Sequence, residues 1–225
     1  MQGPLDTIGS MPRAPDSLLL PTGESPTEVF ARALPLAGTA GEAYVQRRHI
    51  PLAVAHQAGV RYCPDYAGRP AVLAALYDRQ GALASLHGRY LEVTRDQNKM
   101  LTIGPGGGTF NVLGGWLRDP LIVVEGVFDA LSLAACGWPC CGTIGRWVPW
   151  LPSIAEARNV WLAFDNARSA DTEAVRYSRQ MSTATRVARL RPPGHSKDWN
   201  TALVKRRPAA IQYWLEQHCK QLETK

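Results

Sequence analysis

Three acidic side chains follow predicted strands. Glu125 comes directly after residues 121–124, Asp165 comes directly after residues 160–164, and Asp198 follows the last predicted strand, residues 186–191, by a short loop. Because ligands bind at the carboxyl ends of the strands in open α/β sheets, we expect these side chains to converge. Three carboxylates at one sheet edge predict a site for a hard divalent cation such as Mg²⁺, which takes oxygen ligands and is completed by water and substrate phosphates.

Any one of these acids could instead have a structural role, as a helix N-cap or as a charge in the first turn of a helix. We favour the structural role for Asp129, Asp171 and Glu173, which fall inside expected helices. It is a weaker explanation for the three strand-end acids taken together, because all three follow strands of the same predicted sheet.

A parallel sheet would position these acids. Residues 121–124 are apolar and rich in β-branched side chains, which predicts a strand buried on both faces. Glu125 and Gly126 then predict a tight turn, and the apolar residues that follow have helical spacing. Further strands are predicted at residues 140–144, 160–164 and 186–191, and further helices at residues 150–157, 170–183, 199–206 and 208–221. Strands that alternate with helices predict an α/β domain of Rossmann-like βα units.

The first half of the chain has a different pattern. Short helices are predicted at residues 28–34, 41–48 and 51–58, a hairpin at residues 72–90 around a turn at 78–81, and two further strands of the same small sheet at residues 99–103 and 109–113. The glycine-rich residues 104–108 lack the Lys-Ser or Lys-Thr ending of a phosphate-binding loop and do not join a strand to a helix. They therefore predict a flexible turn and not a nucleotide cradle.

These patterns divide the chain into four regions. Residues 1–25 are rich in proline and glycine, which predicts a disordered tail or linker. Residues 26–117 predict a small mixed α+β subdomain, residues 118–207 the parallel-sheet domain, and residues 208–225 a C-terminal helix.

Composition narrows the partners and the compartment. The 225 residues have a formal net charge of +6 and a pI near 9.2, which suits a polyanionic partner such as nucleic acid. Five cysteines without a CxxC pair argue against a zinc ribbon or a disulfide framework. No apolar run is long enough to span a membrane, and the N-terminus lacks the pattern of a signal peptide. We therefore expect a soluble cytoplasmic protein with no membrane partner.

The order of the acidic motifs resembles the Toprim domain, which is shared by DnaG-type primases, type IA and type II topoisomerases and some nucleases. The motifs are Glu125-Gly126-x-x-Asp129, an apolar strand that ends in Asp165, and the segment Lys197-Asp198-Trp199-Asn200 at residues 197–200. Gly142 and Thr143 match the Gly-Thr pair of that family after its second strand.

The resemblance to primases extends upstream and covers roughly residues 40 to 207. Residues 76–81, 87–91, 99–101 and 110–111 are similar, in order, to the segment that precedes Toprim in DnaG-type catalytic cores. The phage and plasmid versions look closest, because they share the Lys-Asp-Trp/Phe-Asn ending and a Gly-Thr-x-x-Glu-x-Tyr helix opening, here residues 38–44.

The resemblance implies catalytic and metal-binding roles for the acids. Glu125 would be the catalytic acid or base near the 3′-hydroxyl or the scissile phosphate, and it would share the catalytic site and the metal with Asp165. Asp165 and Asp198 would hold Mg²⁺ or Mn²⁺, with Asn200 or Asp129 as lesser ligands. Phosphoryl transfer needs in-line positioning and positive charge around the phosphate, and a bound cation suits that need.

The resemblance also implies basic contacts. Arg89 and Lys99 would face the incoming nucleotide or the template, although without the resemblance a solvated sheet face is the better explanation of both. Lys197 would touch phosphate or pair with the adjacent carboxylate.

One position departs from the family pattern. The second acidic motif of the family has two aspartates separated by one residue, whereas this chain has Asp165-Asn166-Ala167. Fewer anionic ligands weaken cation binding, so the change casts doubt on enzymatic activity. The loss of catalysis, the tolerance of a one-acid site and a deliberate substitution are all open explanations.

The resemblance implies a primase-type catalytic core, a nucleotidyltransferase that makes short RNA primers from NTPs on single-stranded DNA during phage or plasmid replication. One alternative is a catalytically degenerate single-stranded DNA-binding module, and another is a Toprim nuclease, which the primase-like upstream segment argues against. The sequence shows neither zinc ligands nor a P-loop. The chain would therefore be a truncated core, a minimal primase, or a core that borrows these functions from a replicative helicase or a separate zinc-binding module.

Overall fold

The computed structural model describes residues 19–223, with side chains described up to residue 218. Within this range the chain folds into two five-stranded sheets that pack against each other through a shared apolar core. None of the described helices combines the length and the apolar character that crossing a membrane requires.

The first sheet is antiparallel throughout. Its strands, in spatial order, are β1 (Leu34–Pro35), β2 (Arg61–Tyr66), β3 (Arg69–Tyr77), β4 (Leu83–Tyr90) and β5 (Met100–Ile103). Three short helices accompany it, namely α1 (Pro26–Arg32), α2 (Ala40–Arg47) and α3 (Leu52–Gln57).

The second sheet has the order β10-β9-β7-β8-β6. Its strands are β6 (Phe110–Val112), β7 (Leu121–Val124), β8 (Cys140–Gly142), β9 (Asn159–Leu162) and β10 (Arg186–Arg189). Strands β7 to β10 are parallel, and β6 is antiparallel at the edge. Its helices are α4 (Val127–Ala135), α5 (Leu151–Ala155), α6 (Arg168–Gln180), α7 (Trp199–Lys205) and α8 (Pro208–Glu223), together with a 3₁₀ turn at Gly115–Leu117.

The prediction of an α/β fold with a parallel sheet and a preceding mixed α+β part is confirmed. Strand β7 is buried on both faces, as expected: Ile122 and Val124 pack in the core between the two sheets, while Leu121 and Val123 pack in the core on the far side. A strand in this position makes apolar contacts in both directions, so its carboxyl end is held firmly.

Two details of the first half differ from the expectation. Residues 109–113 were expected to close the first sheet, but β6 pairs with β8 of the second sheet, with Phe110 opposite Gly142 and Val112 opposite Cys140. Alternating apolar residues indicate a strand and do not indicate which free edge it joins. Strand β2 was missed because Pro64 is unusual in a strand; a register shift between Cys63 and Tyr66 accommodates it.

Most of the expected tail, residues 1–18, lies outside the described residues. The described remainder, residues 19–25, is not a tail. Leu20 is buried in the core that also contains Val29, and Ser25 forms a capping box with Glu28 at the start of α1. A single well-placed leucine and a helix cap outweigh a local excess of proline and glycine.

Candidate active site

Glu125 stands at the carboxyl end of β7, and a compact turn places Asp129 close to it. Gly126 is the N-cap of α4, and a Cβ added there would lie 2.6 Å from Oδ2 of Asp129. The Asp129 carboxylate therefore packs directly over the Gly126 backbone. The motif Glu-Gly-x-x-Asp is thus one structural unit in which glycine leaves room for the second acid.

Asp129 and Asp198 both bind the first turn of α7. Oδ1 of Asp129 accepts hydrogen bonds from the backbone N–H of Trp199 (2.9 Å) and of Asn200 (3.3 Å). Asp198 is the N-cap of the same helix, and its Oδ1 accepts from the N–H of Thr201 at 2.6 Å. The structural role that was favoured for Asp129 is therefore present in the structure, and Asp198 has a role of the same kind. Each of these bonds uses Oδ1 and leaves Oδ2 of the carboxylate out of the cap.

A half-buried arginine holds the end of β9, which Asp165 follows. The Arg189 guanidinium donates hydrogen bonds to the backbone oxygens of Leu162, Phe164 and Asp165 at 2.6 to 3.0 Å, and its Nε lies 3.2 Å from the Asp171 carboxylate. Sequence reasoning missed Arg189, because a basic residue in an edge strand gives no sign that it turns inward. It shapes the loop from which Asp165 projects.

The carboxylates are electrostatic neighbours. Burial raises the pKa of Asp129 to about 8, and the charges of Asp165 and Asp198 add to that effect. The pKa of Asp165 is raised by burial and by Asp198, while Lys197 and Arg189 oppose the rise. Burial and then Asp165 raise the pKa of Glu125. Mutual repulsion of this kind shows that the strand-end acids share one region, as the sequence predicted, and a bound cation would relieve it.

The donor set suits an open cation site. Oε1 of Glu125 is buried and has no hydrogen-bond partner, which leaves it available to a ligand. Within residues 19–218, no group of three or more acidic, histidine or cysteine side chains is arranged to enclose a metal ion. Mg²⁺ does not need such a cage, because one or two carboxylates with water and substrate phosphates are sufficient. The residues fit a cation that the substrate helps to hold.

Ala167, the position of the missing family aspartate, is the N-cap of α6. Its backbone is extended (φ −138°, ψ 152°), as at most N-caps, and it provides no side chain to accept a hydrogen bond. An aspartate at this position would therefore both cap α6 and stand two residues from Asp165.

Basic and aromatic side chains of the first half contact one another and helix α4 of the second half. Nε of Arg89 donates to the Tyr44 hydroxyl at 3.3 Å, and Arg48 donates to the same oxygen at 2.9 Å. The Arg48 guanidinium also lies 4.3 Å from the centre of the Phe128 ring, and Phe128 precedes Asp129 on α4. The sequence analysis identified Arg89 but missed Arg48 and Tyr44 as its contacts.

The three other site candidates have different surroundings in the structure. Lys99 is exposed just before β5, and no contact among the described residues joins its side chain to the carboxylates. Lys197 is exposed close enough to lower the pKa of Asp165. Asn200 is buried, and its amide is occupied by Arg48 and Ser132.

The glycine-rich residues 104–108 connect the two sheets. The N–H of Gly106 donates to Ser85 Oγ on β4 at 3.0 Å, and the indole N–H of Trp150 donates to the Gly107 oxygen at 2.5 Å. His87, next but one to Ser85 on the same strand, is also buried, and burial together with Arg89 and Arg146 lowers its pKa to about 4. This loop is tied to both halves of the molecule and does not form a phosphate cradle.

Comparison with known proteins agrees with this geometry. Residues 120–209 match the family model of the Toprim domain, and residues 23–108 match a domain family of unknown function, DUF7146. No curated protein matches the chain significantly.

Solved structures of primases have the same fold. The DnaG primase catalytic domain bound to single-stranded DNA is 16% identical with a TM-score of 0.65, over 85% of this chain and 77% of that one. The E. coli primase catalytic core is 17% identical with a TM-score of 0.60, over 79% and 72% of the two chains. The primase fragment of the bacteriophage T7 primase-helicase is 20% identical with a TM-score of 0.54, over 75% and 73%.

Residues 120–209 therefore form a Toprim domain. Together with the N-terminal part, the chain has a fold similar to that of DnaG and T7 primase catalytic cores. At these identities the likeness concerns the fold.

Proposed function

We propose that the chain is a primase-type catalytic core, a nucleotidyltransferase that makes short RNA primers from NTPs on single-stranded DNA. The observation that supports the proposal is the electrostatic coupling of Glu125, Asp165 and Asp198 in the Toprim domain, within a fold similar to primase catalytic cores. Coupled carboxylates that a cation can bridge suit the transfer of a nucleotidyl group.

In this proposal each residue has a separate role in nucleotidyl transfer. The 3′-hydroxyl oxygen attacks the α-phosphorus of the incoming NTP, the bond from that phosphorus to pyrophosphate breaks, and the hydroxyl proton passes to the Glu125 carboxylate. A raised pKa brings Glu125 closer to the range in which it can accept that proton and later release it. Arg89 would bind the phosphates or the template, and Lys197 would offset negative charge beside Asp165.

Mg²⁺ or Mn²⁺ would be held by Asp165 with Asp198 or Glu125 and would supply positive charge to the phosphates. Asp129 would contribute less, because its Oδ1 is bound to the first turn of α7. Lys99 would meet nucleic acid only beyond the carboxylate edge. Single-stranded DNA and NTPs would be the partners at the site, and a helicase or a zinc-binding module would act with the chain in phage or plasmid replication.

The second candidate function is single-stranded DNA binding without catalysis, and Ala167 favours it. The loss of one anionic ligand weakens cation binding, whereas nucleic-acid contacts by basic residues such as Arg89 would not depend on that ligand. A nuclease is less well supported, because the N-terminal part resembles the fold of primase cores.

Primer synthesis on single-stranded DNA, with labelled NTPs and Mg²⁺ or Mn²⁺, tests these proposals. Wild-type synthesis that disappears in Glu125→Gln would support the enzyme, since glutamine keeps the shape and loses the proton acceptor. Synthesis only in Ala167→Asp would mark the natural chain as disabled. No synthesis by any variant, with single-stranded DNA binding intact, would refute the polymerase proposal for this chain and favour the binding module.

A further inference from the structure

Arg48, the C-cap of α2, lies against two aromatic rings that contact each other. Its guanidinium carbon lies 4.3 Å from the centre of the Phe128 ring and 5.0 Å from that of Tyr44. Its NH2 group donates to the Tyr44 hydroxyl, and its NH1 group donates to Oδ1 of Asn200 at 3.0 Å. Planar contact with rings leaves the edge of the guanidinium free for these directional bonds, a geometry that lysine cannot reproduce.

Asn200 in turn donates a hydrogen bond to Arg48. Its Nδ2 donates to the backbone oxygen of Arg48 and to Ser132 Oγ on α4, each at 3.0 Å. Asn200 is only 7% exposed, and these contacts occupy both amide N–H groups as well as its oxygen. Arg48 and Asn200 lie 152 residues apart in the sequence, so the reciprocal pair connects the N-terminal part to the Toprim domain.

Asn200 lies in the first turn of α7, which Asp198 caps and to which Asp129 is hydrogen-bonded. The backbone N–H of Asn200 donates to Asp129, and Asp198 caps the helix two residues earlier. A displacement of Asn200 would therefore move the N–H groups that hold Asp129 and would turn the Asp198 carboxylate. On its other side, Arg48 shares the Tyr44 hydroxyl with Arg89.

We propose that Arg48 is a positioning residue that holds Asn200 in place, and that Asn200 is not a cation ligand. The pair, here called the Arg48–Asn200 clamp, fixes the start of α7 against α4 and keeps Arg89 of the first sheet in register with the carboxylates. The meaning of that register rests on the proposed function, whereas the clamp itself is a claim about local order.

Hydrogen exchange tests the clamp directly. Arg48→Met keeps an unbranched side chain beside Phe128 but removes both side-chain hydrogen bonds, and the matched control is Arg47→Met on the exposed neighbouring position. We expect the first-turn amides of α7 at residues 199–201 to exchange about tenfold faster in Arg48→Met, with the amides of β7 unchanged, because local opening is separable from global unfolding. Equal acceleration in every element, or none at residues 199–201, would overturn the clamp.

Mn²⁺ affinity, measured by electron paramagnetic resonance, shows whether Asn200 is held in place by Arg48 or is itself a cation ligand. Outer residues that orient ligands typically change metal affinity about 10- to 100-fold, so we expect Arg48→Met to weaken Mn²⁺ binding about tenfold. Asn200→Asp should also weaken it, because the aspartate cannot donate to Arg48 and Ser132. Tighter Mn²⁺ binding in Asn200→Asp would identify a ligand and overturn the inference. If the wild type binds no Mn²⁺ even in the presence of NTP, the proposed function fails, and the exchange result alone decides on the clamp.

Discussion

Substitutions at position 167 separate two effects, the capping of helix α6 and the addition of an anionic ligand. Asparagine there would accept a hydrogen bond from the first turn of α6, a helix of 13 residues that has no side-chain cap. Replacing alanine at an N-cap by asparagine or aspartate stabilises a protein by about 1 kcal/mol, within a range of about 0.5 to 2 kcal/mol. For a chain of this size, that corresponds to a rise in Tm of about 2–4 °C.

Aspartate adds a charge to the cap. Its attraction to the helix dipole contributes about 0.3–1 kcal/mol, but it stands two residues from Asp165, whose pKa is already raised by burial and by Asp198. Without a cation, we expect Ala167→Asp to gain no more stability than Ala167→Asn, because repulsion within the carboxylate group offsets the dipole. With Mg²⁺, the order should reverse, since only aspartate adds an anionic ligand.

Thermal unfolding of the wild type, Ala167→Asn and Ala167→Asp, with Mg²⁺ and with a chelator, measures both effects. A Tm of Ala167→Asn equal to that of the wild type would refute the N-cap assignment. Equal Mg²⁺ responses of the two variants would refute the placement of position 167 beside the cation site. The two refutations are independent, because asparagine tests the cap without adding charge.

Three further predictions concern groups beside the site. The raised pKa of Asp129 means that the folded protein binds its proton more tightly, so the free energy of unfolding should fall as pH rises from about 4 to about 8; urea unfolding across that range should show a flatter profile in Asp129→Asn. The lowered pKa of His87 has the opposite effect on stability, so the contribution of His87 to the free energy of unfolding should be lost as pH falls from 6.5 to about 4. His87→Gln should therefore be less acid-sensitive than the wild type in the same measurement. Gly126→Ala should cost about 1–3 kcal/mol through crowding of Asp129, and a double-mutant cycle in urea should show that most of this cost disappears in Asp129→Ala.

The sequence was sufficient for the Toprim half because its signals are local. A β-branched run followed by an acid and a glycine indicates strand, turn and helix without reference to any distant residue. The order of acids along parallel strands then places them at one edge, and the shared electrostatics of Glu125, Asp165 and Asp129 agree with that placement.

The contacts that hold the site could not be predicted in the same way. The inward turn of Arg189 and the bond between Arg48 and Asn200 depend on which elements pack together, and residue type alone does not reveal it. Gly88 is a further example: a Cβ there would lie in the ring of Tyr66, so the glycine before Arg89 makes room for an aromatic on β2, a strand that the sequence analysis missed.

The change at Ala167 removes a ligand from a site that has other sources of negative charge. Asp165 is still held by Arg189 through its backbone oxygen, and its charge acts on both Glu125 and Asp129. A cation that bridged Asp165 to its neighbours would relieve more repulsion here than at a solvated pair of acids, because burial strengthens that repulsion. Substrate phosphates can supply the remaining ligands. The loss of the second aspartate should therefore reduce cation affinity in the absence of nucleotide more than in its presence, and comparison of Mn²⁺ binding with and without NTP would show this difference.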